Sequence, residues 1–190
     1  MQVIKESLRK KILEVALKEF EEKGYEATSM RAISEGAGTS LGNLYHYFHS
    51  KDDIYTSCLM PVLDECIAHM SQMFDVSDEA ISQTAFHMAR YVSNHAREFK
   101  IIVKGPAKHY TAFLDRFTDC IAQKLKQYAL EAGVDRVSNP DFYGAVALAF
   151  ISSLRGIMES SLSQSLTEDY VTELMYFLFA GYRSRMESML

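Results

Sequence analysis

Residues 28–51 read TSMRAISEGAGTSLGNLYHYFHSK, and they constrain the fold more than any other stretch. Two short helical patterns, Met30–Glu35 and Ser40–Phe48, flank the turn Gly36-Ala37-Gly38. Thr28 or Ser29 can cap the first helix by accepting from its free backbone N–H groups, and Thr39 or Ser40 can cap the second. Met30, Ile33 and Ala37 recur at helical spacing and give the first helix one apolar face. Gly38 can take the positive φ that a sharp helix-to-helix turn requires. This is the pattern of a helix-turn-helix, a unit that presents its second helix to a DNA major groove.

At about 100° per residue, Leu41, Leu44, Tyr45 and Phe48 gather on one side of the second helix. Gly42, Asn43 and His46 gather on the other, with Tyr47 on the flank. The outer side is therefore small and polar. Gly42 costs roughly 1 kcal/mol against Ala inside a helix. Close approach of the backbone to another surface accounts for it, and so does a loosely specified short helix.

The spacing Gly38, Ser40, Gly42, Leu44, Tyr45, Tyr47, Phe48, Ser50, Lys51, Ile54 resembles the recognition-helix signature of the TetR family of bacterial repressors. Ile12, Ala16, Phe20, Gly24, Tyr25, Thr28, Ser29, Met30 and Ile33 match upstream, so the likeness covers the first third of the chain. It departs from the family at Leu41, where many relatives carry lysine or another polar residue. The resemblance implies an all-α protein. An N-terminal three-helix helix-turn-helix DNA-binding domain (1–51) precedes a C-terminal helical ligand-binding and dimerisation domain (52–190). It also implies a homodimeric repressor that a small effector releases from a palindromic operator.

Composition agrees with a packed helical chain. Hydrophobic residues make up 48%, and there are only three prolines. The net charge of −5 argues against nucleic acid at face value. Residues 1–51, however, carry eight Lys/Arg against seven Asp/Glu, whereas 52–190 carry twelve against eighteen. The asymmetry favours the N-terminal part as the DNA contact and predicts weak non-specific binding. Cys58, Cys66 and Cys120 form no disulfide framework. The longest uncharged apolar stretch, Phe142 to Leu154, is shorter than the roughly 20 residues of a membrane span. A cytoplasmic protein with reduced thiols and no membrane partner is expected.

Residues 3–23 read as an amphipathic helix with Leu8, Ile12, Leu13, Ala16, Leu17 and Phe20 on one face, ended by Gly24. Lys5, Arg9, Lys10 and Lys11 near its start are either a solvated face or phosphate contacts. A helix runs from Ile54 to about Phe74 with an interruption at Pro61, which removes a hydrogen bond. Further helices are expected over 78–97, Glu98–Lys104, Ala107–Ala132, Phe142–Gln164 and Tyr170–Tyr182.

Candidate DNA contacts are Thr28, Ser40, Leu41, Gly42, Asn43, Tyr45, His46, Tyr47 and Lys51. Asn43 can hydrogen-bond a base edge and Leu41 can touch a thymine methyl. Thr28, Tyr45, His46, Tyr47 and Lys51 are expected on the phosphate backbone. An effector pocket is expected from Met60, Met73, Phe86, Tyr91, His95, Tyr110, Phe113, Phe117 and Phe150, each of which taken singly reads more readily as core. Cys66, His69, Met70 and Met73 share a face on which soft ligands could hold a metal, but Met and Cys are ordinary core residues; no metal or cofactor is expected. His87, Tyr91 and His95 read as a buried histidine stack. Ala145, Ala149, Ser152, Gly156 and Ser160 form a small-residue stripe. With Leu174, Phe177 and Leu178 of a helix apolar on two faces, they suggest a subunit interface.

Two other classes fit less well. An α-helical enzyme would need a phosphate loop, carboxylate metal spacing or a nucleophile elbow, and none is present. A helical dimeric protein-interaction module would present a more hydrophobic surface than Gly42, Asn43 and His46.

Overall fold

The computed structural model describes residues 2–72, 78–131, 133, 141–160 and 162–188. Those residues form nine helices and no strand. The helices are α1 (Gln2–Ala27), α2 (Met30–Ala37), α3 (Leu41–Tyr47), α4 (Lys51–Gln72), α5 (Asp78–Asn94), α6 (Ala96–Lys104), α7 (Ala107–Glu131), α8 (Phe142–Glu159) and α9 (Gln164–Glu187).

Local chemistry sets the first boundaries. Gly24 breaks the regular run of α1 at φ 79°. The Ser29 side chain accepts from the Ala32 N–H to cap α2. Gly38, at φ 69°, ends α2, and the Gly38 and Thr39 N–H groups donate to Glu35 and Ser34. That double bond is the Schellman arrangement, which satisfies the last carbonyls of a helix. The predicted turn over Gly36 and Ala37 is instead the last part of α2. Gly36 is there because α2 lies close against α1: a Cβ on it would come within 2.7 Å of a Val15 methyl.

Ile12, Ala16, Phe20, Ile33, Ala37, Leu44 and Phe48 pack the first three helices together, within one apolar cluster that continues through the later helices. From there α4 leads into the body, packing against α1, α5, α6 and α7. It runs through Pro61, where the sequence reading expected an interruption, and Pro61 lies on its exposed side. In the body α5 packs chiefly on α9, and α8 packs on both α7 and α9. Gly133 (φ 77°) follows α7, and its N–H donates to Leu130. Asn139 and Pro140, which precede α8 in the sequence, lie outside the described residues. The last helix is longer at both ends than the expected Tyr170–Tyr182.

Among the described residues one helix, Phe142–Glu159, has the length and apolarity of a membrane span. It exceeds the uncharged stretch read from the sequence because a span tolerates the two charges Arg155 and Glu159. Only 28% of it is buried.

Candidate nucleic-acid interface and body cavity

The reading helix is built by its caps. The Ser40 hydroxyl accepts from the Asn43 N–H at 3.1 Å, and the Asn43 side-chain amide donates to the Thr39 hydroxyl at 2.8 Å. Leu44 and Phe48 are buried and fix the inner side of α3. Outward stand Leu41 (39% exposed), Tyr45 (47% exposed), Gly42 and His46. A Cβ on Gly42 would meet nothing within 4 Å, so its surface is open to an incoming partner. Tyr47 is half-buried on the flank. Seven of the nine expected contact residues therefore lie together on or at the start of α3.

The other two have internal partners. Thr28 is 2% exposed, and its hydroxyl donates to the Gly24 carbonyl at 2.8 Å. Its side chain closes the α1–α2 joint. Lys51 donates to the Tyr25, Thr28 and Glu26 carbonyls at 2.6, 2.9 and 3.3 Å, with its ammonium 4.2 Å from the Tyr25 ring centroid. An ammonium has three N–H donors, and here they gather the chain end of α1 onto the first turn of α4. In this geometry Lys51 is a clamp under the reading helix, where the sequence pointed to a phosphate contact. The unfavourable dipole of a cation at a helix start is offset by these carbonyls.

Two basic residues flagged in α1 come close to the same surface. The Arg9 guanidinium sits 5.2 Å from the Phe48 ring centroid, and the Lys11 ammonium lies beside the Gly38 turn. Thr39, which reads from the sequence only as a possible cap, orients the Asn43 side chain. Its position four residues before Asn43 was the available signal.

A polar knot joins head to body behind α3. The Ser50 hydroxyl accepts from the Asp53 N–H, and the Asp53 carboxylate accepts from the His49 N–H, which caps α4. Next to it, Asp52 Oδ1 accepts from Lys108 Nζ at 2.8 Å and from Tyr25 Oη at 3.2 Å, and lies 2.7 Å from His109 Nε2. The hydrogen bonds from Lys108 and then His109 hold the Asp52 carboxyl down at about 2. Burial, followed by the Asp52 charge, pushes the Tyr25 phenol up to about 12. One turn further, Tyr55 is fully buried and donates to the Ile101 carbonyl of α6 at 3.1 Å.

A partly open cavity of about 40 Å³ lies between α4, α5, α6, α7 and α8. Tyr110, Phe113 and Phe117 line it as expected, with Cys66, Met88, Val92, Phe99, Ile102, Val103, Ile151, Leu154, Arg155 and Met158. The other expected lining residues are elsewhere. Phe86 is 52% exposed on the outer side of α5. Tyr91 turns to the outer part of α4, where its hydroxyl donates to the Val62 carbonyl at 2.8 Å. His95 precedes α6 and faces Glu98 at 3.9 Å. Phe150 is buried behind the cavity, stacked on Phe117. Met60 is half-buried outside the lining. Met73 lies outside the described residues. The expected buried histidine stack is not formed: His87 is exposed, and Tyr91 and His95 make a half-buried pair of rings at 4.6 Å. Cys66 and Met70 are core residues, and no group of metal-ligating side chains occurs among the described residues. Burial keeps the Cys66 thiol up at about 12, so it enters the cavity wall uncharged.

At the outer end of the body, Ala145, Ala149, Ser152 and Gly156 are exposed along α8 beside Leu148. Phe177 of α9 is 80% exposed, and Leu166 and Tyr170 are exposed on the same helix. Ser160, Leu174 and Leu178 are half-buried.

An all-α chain with a capped helix-turn-helix ahead of a set of longer helices has the architecture of the helix-turn-helix proteins. Residues 12–58 match the model of the bacterial regulatory proteins of the tetR family. The chain is 38% identical over 137 residues to the HTH-type transcriptional repressor KstR2 of Rhodococcus jostii, covering 68% of this chain and 67% of that one. It belongs to the TetR family. A second relative, the KstR2 repressor of Mycolicibacterium smegmatis, is 29% identical over 98 residues, 51% of this chain and 48% of its own length. The chain thus spans about half the length, or less, of the first curated relatives it matches. In fold it is similar to the TetR family transcriptional regulator PfmR of Thermus thermophilus. There the TM-score is 0.65 at 24% identity, over 89% of this chain and 97% of that one.

Proposed function

We propose that the chain is a cytoplasmic homodimeric repressor that reads a two-fold symmetric DNA site through α3 and releases it when a small apolar effector occupies the body cavity. The DNA-reading unit is residues 1–51 and the ligand-binding and dimerisation unit is 52–190. The observation that carries the reading is the outer face of α3: open at Gly42, with Leu41, Tyr45 and His46 exposed and Asn43 oriented by Thr39. Leu41 and Asn43 address base edges, Leu41 through a thymine methyl and Asn43 by hydrogen bonding. Tyr45, His46 and Tyr47 position the backbone, assisted by Arg9 and Lys11.

The exposed Ala145, Leu148, Ala149, Ser152, Gly156 and Phe177 surface supports a second copy as partner, since apolar surface of that kind marks an interface. A two-fold axis there would set two copies of α3 on successive turns of DNA, about 34–36 Å apart or somewhat more. Regulation is this family's work, and no catalytic constellation is part of the reading.

Selection from a random DNA pool at near-physiological salt tests it. One enriched palindrome is the expected result, and Asn43→Ala should relax the preference at one position of each half-site. A dimer that enriches no sequence, including after unfolding and refolding to strip any effector, would refute the reading.

A further inference from the structure

Arg155 is the one charged side chain among the described residues that line the cavity. On α8 it follows Ile151 by one turn and precedes Met158, both of which are buried in the wall. Its guanidinium carbon lies 5.3 Å from the ring centroid of Tyr110, another lining residue. The ring face and the 2.8 Å bond from Nε to Glu159 hold it at the rim. A guanidinium carries five N–H donors in a planar fork that matches a carboxylate with two parallel bonds. The remaining wall is hydrocarbon, aromatic rings and sulfur, with the Cys66 thiol uncharged.

From this lining we infer that the effector is a small apolar monocarboxylate, with its hydrocarbon part in the cavity and its carboxylate on Arg155 beside Tyr110. The inference rests on the reading that this cavity is the effector site. A neutral hydrocarbon would not engage the N–H donors that the Glu159 bond leaves over, and an amine would be repelled by the cation. A dianionic phosphate would meet a single cation already shared with the Glu159 carboxylate. A monoanion is what one such cation can hold. At about 40 Å³ the cavity is smaller than a ligand site, which takes about 300 Å³ or more, so binding must open it. Met88 and Met158 in the wall are unbranched and adaptable. The wall formed by α6 is a nine-residue helix with no side-chain cap at His95.

Isothermal titration of the full-length protein with decanoate, decanol and decylamine tests the inference. Decanoate should bind roughly tenfold or more tightly than decanol, as expected for one bidentate charge-assisted contact. Decylamine should bind most weakly. Arg155→Gln should bring the decanoate affinity down to that of decanol, and an unchanged thermal unfolding of the variant excludes a general loss of structure. Arg155→Lys should restore only part of it. Met158→Trp, which fills the cavity, should abolish binding of all three. Equal affinity for decanoate and decanol, or a decanoate preference that survives in Arg155→Gln, overturns the anion anchor and leaves the cavity reading standing. Binding that survives Met158→Trp, or no binding of any probe, overturns both.

Discussion

Gly105→Ala places one methyl group at the joint between head and body, and its cost can be worked from the structure. Gly105 caps α6 at φ −84° and ψ −167°, a backbone that any residue adopts, so strain plays no part. Space does. A Cβ there would overlap the Tyr55 hydroxyl oxygen, and would come within 2.8 Å of Tyr55 Cζ and 2.9 Å of the Ile101 carbonyl oxygen. Tyr55 is fully buried against Phe20 and Tyr25, so its ring has no free direction. Overpacking of this kind costs about 1–3 kcal/mol. Displacing the hydroxyl from the Ile101 carbonyl adds about 1 kcal/mol. The lower entropy of the unfolded Ala chain returns about 0.4–1 kcal/mol. The net is a loss of about 1–3.5 kcal/mol, or roughly 2–14 °C in Tm for a chain of this size. Thermal unfolding of Gly105→Ala, Tyr55→Phe and the double variant, at one fixed protein concentration, measures it. The double variant should be less destabilised than the sum of the singles by about 1 kcal/mol, because Phe removes the overlapping oxygen but not Cζ. A Gly105→Ala protein within about 0.5 kcal/mol of the parent, the usual range for surface changes, would refute the argument that this joint is sterically closed.

Lys51→Met should lower stability by about 1–2 kcal/mol, from charged bonds to three carbonyls. It should also leave the salt dependence of DNA binding unchanged; a slope reduced by about one would instead mark a phosphate contact. Asp52→Asn addresses acid stability. The Asp52 carboxyl titrates lower when folded, at about 2, than its ordinary 3.8, so its contribution is present above pH 4 and lost as pH falls towards 2. Screening of this half-exposed group reduces the contribution to about 1 kcal/mol. Urea melts of parent and variant should therefore differ at pH 7 and converge near pH 2, and a constant difference would contradict the assignment. Phe177→Glu should turn a dimer into a monomer in light scattering; a dimer that persists would place the interface elsewhere.

The head was legible because its signals are local. Ser29, Gly38 and Ser40 act on backbone groups within a few residues, and α1–α3 pack chiefly on neighbours close in sequence. The internal partners of Lys51 were not legible for the opposite reason: a sequence pattern does not reveal carbonyls 23–26 residues back along the chain. The pocket was harder still. Phe86 and Tyr91 belong to a helix with apolar residues on several sides, and periodicity does not say which side meets α9 and which meets solvent. Cys66, Met88 and Ile102 line the cavity with residue types indistinguishable from core. The small-residue stripe of α8 was readable because its period is helical and its members are all compatible with close approach.

The joint and the cavity share their walls, and that has a consequence for how an effector could act on DNA binding. Ile101 receives the Tyr55 hydroxyl, and the next residue, Ile102, lines the cavity. His109 touches Asp52, and the next residue, Tyr110, lines the cavity from the opposite side. Asp52 and Tyr55 occupy the first turn and a half of α4, which begins three residues after Phe48 closes α3. A ligand that parts α6 from α7 therefore pulls on one short piece of α4 from two directions. The Tyr55 contact is sterically closed, whereas the Asp52 contacts are half-exposed and polar. The softer of the two is the one that can break and re-form without a large cost. In the proposed reading the shift in head position then follows α6, with the Asp52 knot yielding. Asp52→Asn should accordingly weaken the coupling between effector and DNA, a coupling of about 1–3 kcal/mol in ordinary cases, while Gly105→Ala should change the DNA affinity of the effector-free protein itself.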